Sequence, residues 1–364
     1  MSRKPIYVTQ SFLPPLEEYT TRTKEIWKSG QLTNNGPNVL KLENDLKEHL
    51  GVKHLFLVNN GTIAIQIAIK ALAISGEVIT TPFSYVATVS SLVWEGCTPV
   101  FVDINETDFC IDAAKIEAAI TDKTTAILAT HVYGHPCNVV EIERIAKKHN
   151  LKVIYDAAHA FGVTVNGTSV LNHGDISTLS FHATKIFHTG EGGAIVTDND
   201  ELAHRIAYMR NFGHDGPEAF HGVGINGKVS EFHAALGLCV LPRMDEIVSE
   251  RKRVSDRYDR HLSTLARAYR YDAAAQGGYN YAYYPFLLES EELLIELREA
   301  LAKEQIFPRR YFYPSLHTLP YLKPCNMPVS ESVSPRMLCL PLFTQLTDNE
   351  VDQICGIIKN CLEK

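Results

Sequence analysis

The residues of this chain best suited to chemistry are a lysine and an aspartate, each at the end of an apolar run. Lys185 stands in SFHATKIFHTGEGGAIV (180–196), between a strand-like stretch and a glycine-rich turn. An amine placed there is held out of water and serves as a nucleophile. Apolar flanks, and another cation pressed near it, would lower its pKa and free the neutral amine for imine formation. Asp156 closes an apolar run in YDAAHAFG (155–162), and a buried aspartate needs a partner, for which a protonated pyridine nitrogen is suitable. An imine-forming amine and an acid at the carboxyl ends of neighbouring strands are what pyridoxal 5'-phosphate (PLP) requires, so the pattern predicts an enzyme. Taken singly, each residue has a plainer reading: Lys185 as a lysine snorkelling from a strand end, and Asp156 as the N-cap of a helix starting in AAHAFG. Glu191, Gly192 and Gly193 directly after the lysine strengthen the first reading, because glycines allow close backbone approach to a planar ligand.

The rest of a cofactor pocket is spelled out nearby. NNGTIAIQ (59–66) turns from a strand end into a helix through Gly61 and Thr62. Free N–H groups and the positive end of the helix dipole make that junction an anion site, whether or not Thr62 also caps the helix. Ser180 would add a second hydroxyl to the same phosphate. Tyr85, in TTPFSYVATVSS (80–91), sits in a loop after a strand, where an aromatic can lie on a pyridine ring or pack against the core. His159, three positions after Asp156, would lie near the ring face or its phenolic oxygen.

These groups need a scaffold that brings strand ends together. From about 50 to 200, continuous apolar runs (54–58, 77–81, 98–104, 125–133, 151–157, 176–181 and 193–198) alternate with helical patterns such as 61–72 and 139–150. Continuous rather than alternating Val, Ile and Phe predicts strands buried on both faces, hence an α/β domain with a mostly parallel sheet covered by helices. After about 229 the character changes. A helix is expected to break at Pro242 and continue as a long, charge-laced one, then shorter strands, a Tyr- and Pro-rich segment (311–321) and a closing amphipathic helix from Asn349. We expect a large domain over 1–245 and a smaller C-terminal α+β domain over 246–364, since 364 residues exceed what one core supports.

Two motifs read as decoys. GVGING (222–227) fits GxGxxG but follows no strand, which argues against a dinucleotide fold. HVYGH (131–135) spaces two histidines four apart, but Gly134 and Pro136 make it a turn, and no metal site is expected. Net charge −7 argues against nucleic-acid or anionic-membrane binding. The amino terminus has no signal-peptide pattern and no apolar run is long enough to span a membrane. The eight cysteines are scattered, so free thiols and a cytoplasmic location are expected.

Taken in order, LTNNGP (32–37), NNGT, TTPFSYVAT, PVFVDI, HVYGHPC, DAAHA, SFHATK, GEGG, RNFG (210–213), GINGKVSE (224–231) and LCLPLF (338–343) resemble the DegT/DnrJ/StrS-type PLP-dependent nucleotide-sugar aminotransferases. The resemblance implies the aspartate aminotransferase-like fold (PLP fold type I), with Lys185 linked to the cofactor and later shuttling protons. It implies that Asp156 pairs with the ring nitrogen, that Tyr85 and His159 flank the ring, and that Gly61, Thr62 and Ser180 hold the phosphate. Asn226 would join them from a partner subunit, making a homodimer with shared active sites. Ile225, Gly227 and Lys228 depart from the common pattern around Asn226, leaving donor-carboxylate recognition to Lys228, and His188 stands where an asparagine-like residue is common. The substrate-side candidates are His188, Lys228, Tyr313 and His317. Within the family the chain is similar to the VioA-like branch, which forms dTDP-4-amino-4,6-dideoxyglucose from dTDP-4-keto-6-deoxy-D-glucose, with L-glutamate as amino donor. Deoxyamino sugars of this kind serve polysaccharides such as O-antigen. Amination at C3, a UDP-linked sugar, a sugar dehydratase and a PLP-binding sensor are the rivals. Dehydratase members carry histidine at the lysine position, which Lys185 opposes.

Overall fold

The computed structural model describes residues 4–265, 268–270 and 278–363. Its centre is a seven-stranded sheet of β1 (His54–Val58), β2 (Glu77–Thr80), β3 (Thr98–Phe101), β4 (Thr124–Thr130), β5 (Lys152–Asp156), β6 (Ile176–Ser180) and β7 (Gly193–Thr197), in the spatial order β1-β7-β6-β5-β4-β2-β3. All neighbours run parallel except β7, which is antiparallel to both β1 and β6. Each strand lies within one of the seven apolar runs, except that β4 begins one residue earlier, at Thr124.

The continuity of those runs has a direct cause. Successive side chains point to opposite faces, and here both faces are covered. Ile79, Ile127, Ala129, Val153 and Tyr155 join one buried cluster, with Val39, Leu42, Ile142 and Ile145 from the helices over that face. Val78, Ala126, Leu128 and Ile154 join another, with Ala64, Ile67, Ala68 and Ile206. The helices over the two faces include α1 (Pro37–Leu50), α2 (Gly61–Ala71), α3 (Val86–Trp94), α4 (Val139–His149) and α5 (Asp200–Met209).

The chain then runs through α6 (Glu231–Val240), a 3₁₀ turn over Leu241–Arg243 and α7 (Met244–Leu262), so the helix is interrupted at Pro242 as expected. Along α7, Met244 and Ile247 join the first cluster, whereas Val254, Tyr258 and Leu262 join a third one built with Leu294, Leu297, Ile354 and Ile358. That third cluster belongs to β8 (Ala268–Arg270), β9 (Pro285–Leu288) and β10 (Met337–Cys339), an antiparallel sheet, with α8 (Glu291–Lys303) and α9 (Asp348–Leu362). Ile6 also packs there, beside Ile306 in a short parallel pairing.

The spaced motifs acquire local reasons. Glu231, at the start of α6, accepts from the backbone N–H of Asn38 (2.8 Å) and Val39 (3.0 Å), satisfying the open end of α1. A Cβ on Gly36 would meet the Glu231 carboxyl carbon at 2.7 Å, which is why glycine precedes that helix.

Candidate active site

The carboxyl ends of β5 and β6 face the amino termini of α2 and α3 across a cavity of about 310 Å³. Seven of the sequence-predicted residues line it: Gly61, Thr62, Tyr85, Asp156, His159, Ser180 and Lys185. Parallel strands followed by helices concentrate loops and helix N-termini at one edge of the sheet, so this is where such a fold gathers ligand groups.

Lys185 is carried on the loop from β6 to β7. The loop is closed by backbone bonds from Phe181 N–H to Gly192 O (2.8 Å), Thr189 N–H to Phe181 O (3.0 Å) and Ala183 N–H to Gly190 O (2.8 Å). A Cβ on Gly192 would fall 2.1 Å from Thr189 Oγ1, so the glycine lets the loop fold back on itself. Lys185 Nζ lies 3.4 Å from Tyr283 Oη. Burial lowers its pKa to about 8, against an opposing pull from the charges of Asp156 and Tyr85. Desolvation, rather than the neighbouring cation expected from the sequence, therefore frees the neutral amine.

Asp156 ends β5 and is 5% exposed. Its Oδ1 accepts from Ala158 N–H (3.1 Å) and its Oδ2 from Thr88 Oγ1 (2.7 Å). No helix follows it, so the expected alternative of an N-cap aspartate does not apply. His159 lies parallel to Phe312 (ring centroids 5.5 Å apart, 9° between planes) and edge-on to Tyr283. Its Nδ1 is buried and has no hydrogen-bond partner among the described residues. Burial, with the charge of Lys185 next, holds the ring neutral by pushing its pKa well below the usual histidine range.

At the other end of the cavity, Asn60 rather than Thr62 caps α2, accepting from Ile63 N–H at 2.8 Å. Gly61 and Thr62 then occupy the first turn, whose amides have no carbonyl four residues back within the helix. A Cβ on Gly61 would meet Ser180 Cβ at 2.9 Å, and one on Gly193 would meet the Asn60 carbonyl carbon at 2.6 Å. The helix start is thus pressed against two strand ends, and the Ser180 hydroxyl joins the helix N-terminus at one place. Tyr85 is 57% exposed at the cavity mouth instead of packing into the core.

Tested against the chemistry expected from the sequence, these groups fit a phosphorylated pyridine aldehyde. An acid stands for the ring nitrogen and an amine for the aldehyde, a helix N-terminus with a serine for the phosphate, and a buried imidazole with one unsatisfied nitrogen for the ring face or its hydroxyl.

Sequence reasoning missed Tyr283, Arg309, Tyr311 and Phe312, which reach the cavity from the C-terminal part of the chain. The dense aromatics of NYAYY and RRYFYP were the available signal. Burial pushes the Tyr311 hydroxyl up to about 12. The Arg309 guanidinium sits 5.4 Å over the Tyr311 ring and has no carboxylate partner among the described residues. Buried Arg251 of α7 donates to Tyr281 O (2.8 Å) and Ala282 O (2.7 Å), fixing the segment that presents Tyr283.

The remaining candidates do not line this cavity. His188 is 1% exposed. Its Nε2 reaches Phe12 O (2.8 Å) and its Nδ1 accepts from Gly190 N–H (3.3 Å), so no nitrogen is left for a ligand. His317 is likewise buried between Ser315 Oγ (2.9 Å) and Glu331 Oε1 (3.0 Å). In both, the ring nitrogens serve internal bonds away from the cavity. Tyr313 is half-exposed and stacks under the Arg310 guanidinium, 3.4 Å from its ring centroid. Lys228 Nζ donates to Asn226 Oδ1 (2.8 Å) on the surface outside this chain's own cavity. Neither decoy acquires its literal meaning. His131–His135 form a tight turn, and residues 222–227 form a loop pairing Asn226 with Asn211. Among the described residues one trio could offer ligand atoms to a metal, His204, Asp215 and His221, all exposed, with the last two already ion-paired. No helix among them is long and apolar enough to cross a membrane.

Comparison with known proteins supplies an independent measure. The model of the DegT/DnrJ/EryC1/StrS aminotransferase family matches residues 16–359. The chain is 45% identical to a dTDP-4-amino-4,6-dideoxy-D-glucose transaminase of Shigella dysenteriae, covering 98% of this chain and 99% of that one. It is 41% identical, with the same shares covered, to a protein of that name from Escherichia coli. The solved structure of DesI in the presence of its TDP-sugar product superposes with a TM-score of 0.95 at 32% identity, covering 100% of this chain and 94% of that one. NtdA of Bacillus subtilis with bound cofactor PMP superposes with a TM-score of 0.88 at 28% identity, covering 96% and 82%.

Proposed function

This chain belongs to the DegT/DnrJ/EryC1/StrS aminotransferase family, and from that premise we propose that it transfers the amino group of L-glutamate to C4 of dTDP-4-keto-6-deoxy-D-glucose with PLP as cofactor. The single observation that carries the chemistry is Lys185, an amine brought to about 8 by burial in the cavity that Asp156 also lines. The sugar rests on the near full-length likeness to two transaminases named for dTDP-4-amino-4,6-dideoxy-D-glucose.

Bound PLP supplies an aldehyde for nitrogen and a protonated ring that draws electrons from the carbon being deprotonated. Lys185 would hold that aldehyde, and its amine would serve as the acid and base that moves the proton of the reacting carbon. With its pKa near 8, about a tenth of the free amine is neutral at pH 7, against roughly one part in three thousand at the ordinary 10.5. Asp156 would pair with the ring nitrogen, and His159, held neutral by burial, would flank the ring. Gly61, Thr62 and Ser180 would hold the phosphate. Arg309, a cavity cation without a carboxylate partner among the described residues, binds an anionic group of the substrates and takes over the part first given to Lys228.

We also propose a cytoplasmic homodimer. Asn226 and Lys228 stand outside this chain's cavity, and large apolar side chains nearby in sequence, Phe220 and Val223, are exposed, as is Trp94 at 82%. A second copy would cover them and bring Asn226 to the partner's phosphate site. The cytoplasmic placement rests on eight free cysteines. The two-domain division at 245/246 remains our reading of the chain.

The test supplies purified protein with PLP, dTDP-4-keto-6-deoxy-D-glucose and L-glutamate. Equal amounts of 2-oxoglutarate and of a 4-amino sugar nucleotide support the proposal. Sugar conversion without glutamate, or no conversion, refutes it.

A further inference from the structure

Asp156 does not meet the protein interior alone. The sheet register sets it opposite Thr130 on β4 and Thr178 on β6. Its Oδ2 accepts from Thr88 Oγ1 (2.7 Å), Thr88 Oγ1 is 2.8 Å from Ser84 Oγ, and Thr130 Oγ1 is 3.1 Å from Ser84 Oγ. Thr88, Ser84 and Thr130 are each at most 2% exposed. A carboxylate only accepts and a hydroxyl has one proton to give. Thr88 must therefore donate to Asp156, which leaves its oxygen to accept from Ser84, and Ser84 in turn to accept from Thr130. Three aligned O–H dipoles point at one carboxylate, each polarising the next, and the bond that reaches the charge is the strongest.

We propose that Thr88, Ser84 and Thr130 form a one-way hydroxyl relay that holds the Asp156 carboxylate in place, making Thr88 a positioning residue for the acid that would meet the cofactor ring. The proposal rests on the reading that PLP binds here. The titratable and charged groups that share the cavity with Asp156 are His182, Lys185 and Glu191 from the loop after β6, His159 from the turn after β5, Tyr85 from the start of α3, and Tyr283, Arg309 and Tyr311 from the C-terminal part. The relay approaches the carboxylate from beneath them, through side chains that do not titrate.

The consequence is spectroscopic. Weakening the relay frees the Asp156 carboxylate to turn away from the ring nitrogen, which would leave the ring less positive. A less positive ring lets the nitrogen of Lys185 bound to the cofactor keep its own proton to higher pH. Holoenzyme reconstituted with PLP is titrated by visible absorbance, and its PLP affinity is measured by dialysis. In Thr88→Val the midpoint should rise by on the order of one pH unit, the size expected from losing a hydrogen bond to a charged group. Thr88→Ser should restore it, and Ser84→Ala should shift it less than Thr88→Val. Coinciding midpoints for wild type and Thr88→Val, or a failed rescue by Thr88→Ser, overturn the relay while leaving the proposed function standing. Wild-type protein that takes up no PLP overturns the function itself. If Thr88→Val does not fold, Ser84→Ala decides: a raised midpoint supports the relay and an unchanged one sinks it.

Discussion

Lys185 should cost the cofactor-free protein stability, and removing it should make that protein more robust. Its pKa in the folded chain is about 8, against an ordinary 10.5. Between those two values the unfolded chain holds more protons than the folded one, so stability rises with pH through that window, and below pH 8 the full penalty is present. The difference of 10.5 − 8 = 2.5 units corresponds to about 3 kcal/mol at 1.36 kcal/mol per unit. Because the amine borders an open cavity, solvent reduces this to roughly 1–3 kcal/mol. Lys185→Met keeps the stem and deletes the charge. At pH 7, without PLP, it should unfold later by that amount, or roughly 1–4 °C for a chain of this length. The advantage should shrink as pH climbs from 8 towards 10.5. Chemical denaturation of both proteins, dialysed free of PLP, at pH 7 and again near pH 10, measures it. A variant less stable than wild type at pH 7, or an advantage that does not change with pH, would refute the claim that burial sets this lysine's affinity for protons. Sites that work against stability are a recurrent feature of enzymes.

Gly61→Ala places a methyl group 2.9 Å from Ser180 Cβ, where neither backbone can yield cheaply; PLP affinity should fall about tenfold or more, roughly 1.4 kcal/mol, with the fold kept. Equilibrium dialysis reads this, and undiminished affinity would contradict the phosphate assignment. Arg309→Gln should leave the bound-cofactor spectrum intact and raise the KM of one anionic substrate about tenfold or more, the effect of losing one charge-assisted contact. The arm affected, glutamate or sugar nucleotide, identifies the anion, and two unchanged KM values would remove Arg309 from recognition. Leu128→Ala, in a wholly buried position of β4, should lower unfolding stability by about 2–5 kcal/mol; a loss well under 1 kcal/mol would mean that this part of the core is looser than it looks.

The strands, and the placing of Lys185, Asp156, Gly61 and Ser180 around one cavity, were legible in the sequence because both depend on local patterns. A run such as AILA (126–129) is apolar throughout because its odd and even residues face two different buried clusters. Lys185, Asp156, Gly61 and Ser180 each sit at a junction that the chain marks with its own change of pattern. The reversal of β7 was not marked, since a fully buried strand reads the same in either direction. The N-cap of α2 was misplaced by two residues, because Asn60 and Thr62 are both capable caps and only the backbone path chooses between them.

The side of the cavity built by the C-terminal part was hardest to read, because its side chains are brought in from afar. His188 and His317 look available in the sequence, yet folding closes both rings into internal hydrogen bonds. Tyr283, Arg309 and Tyr311 look like core or surface residues, yet the docking of the C-terminal part sets them at the cavity. Local composition by itself determined which segments form the sheet and which residues can do imine chemistry. The tertiary structure alone decided which distant groups share one desolvated space, because burial and the choice of partner are properties of packing between elements.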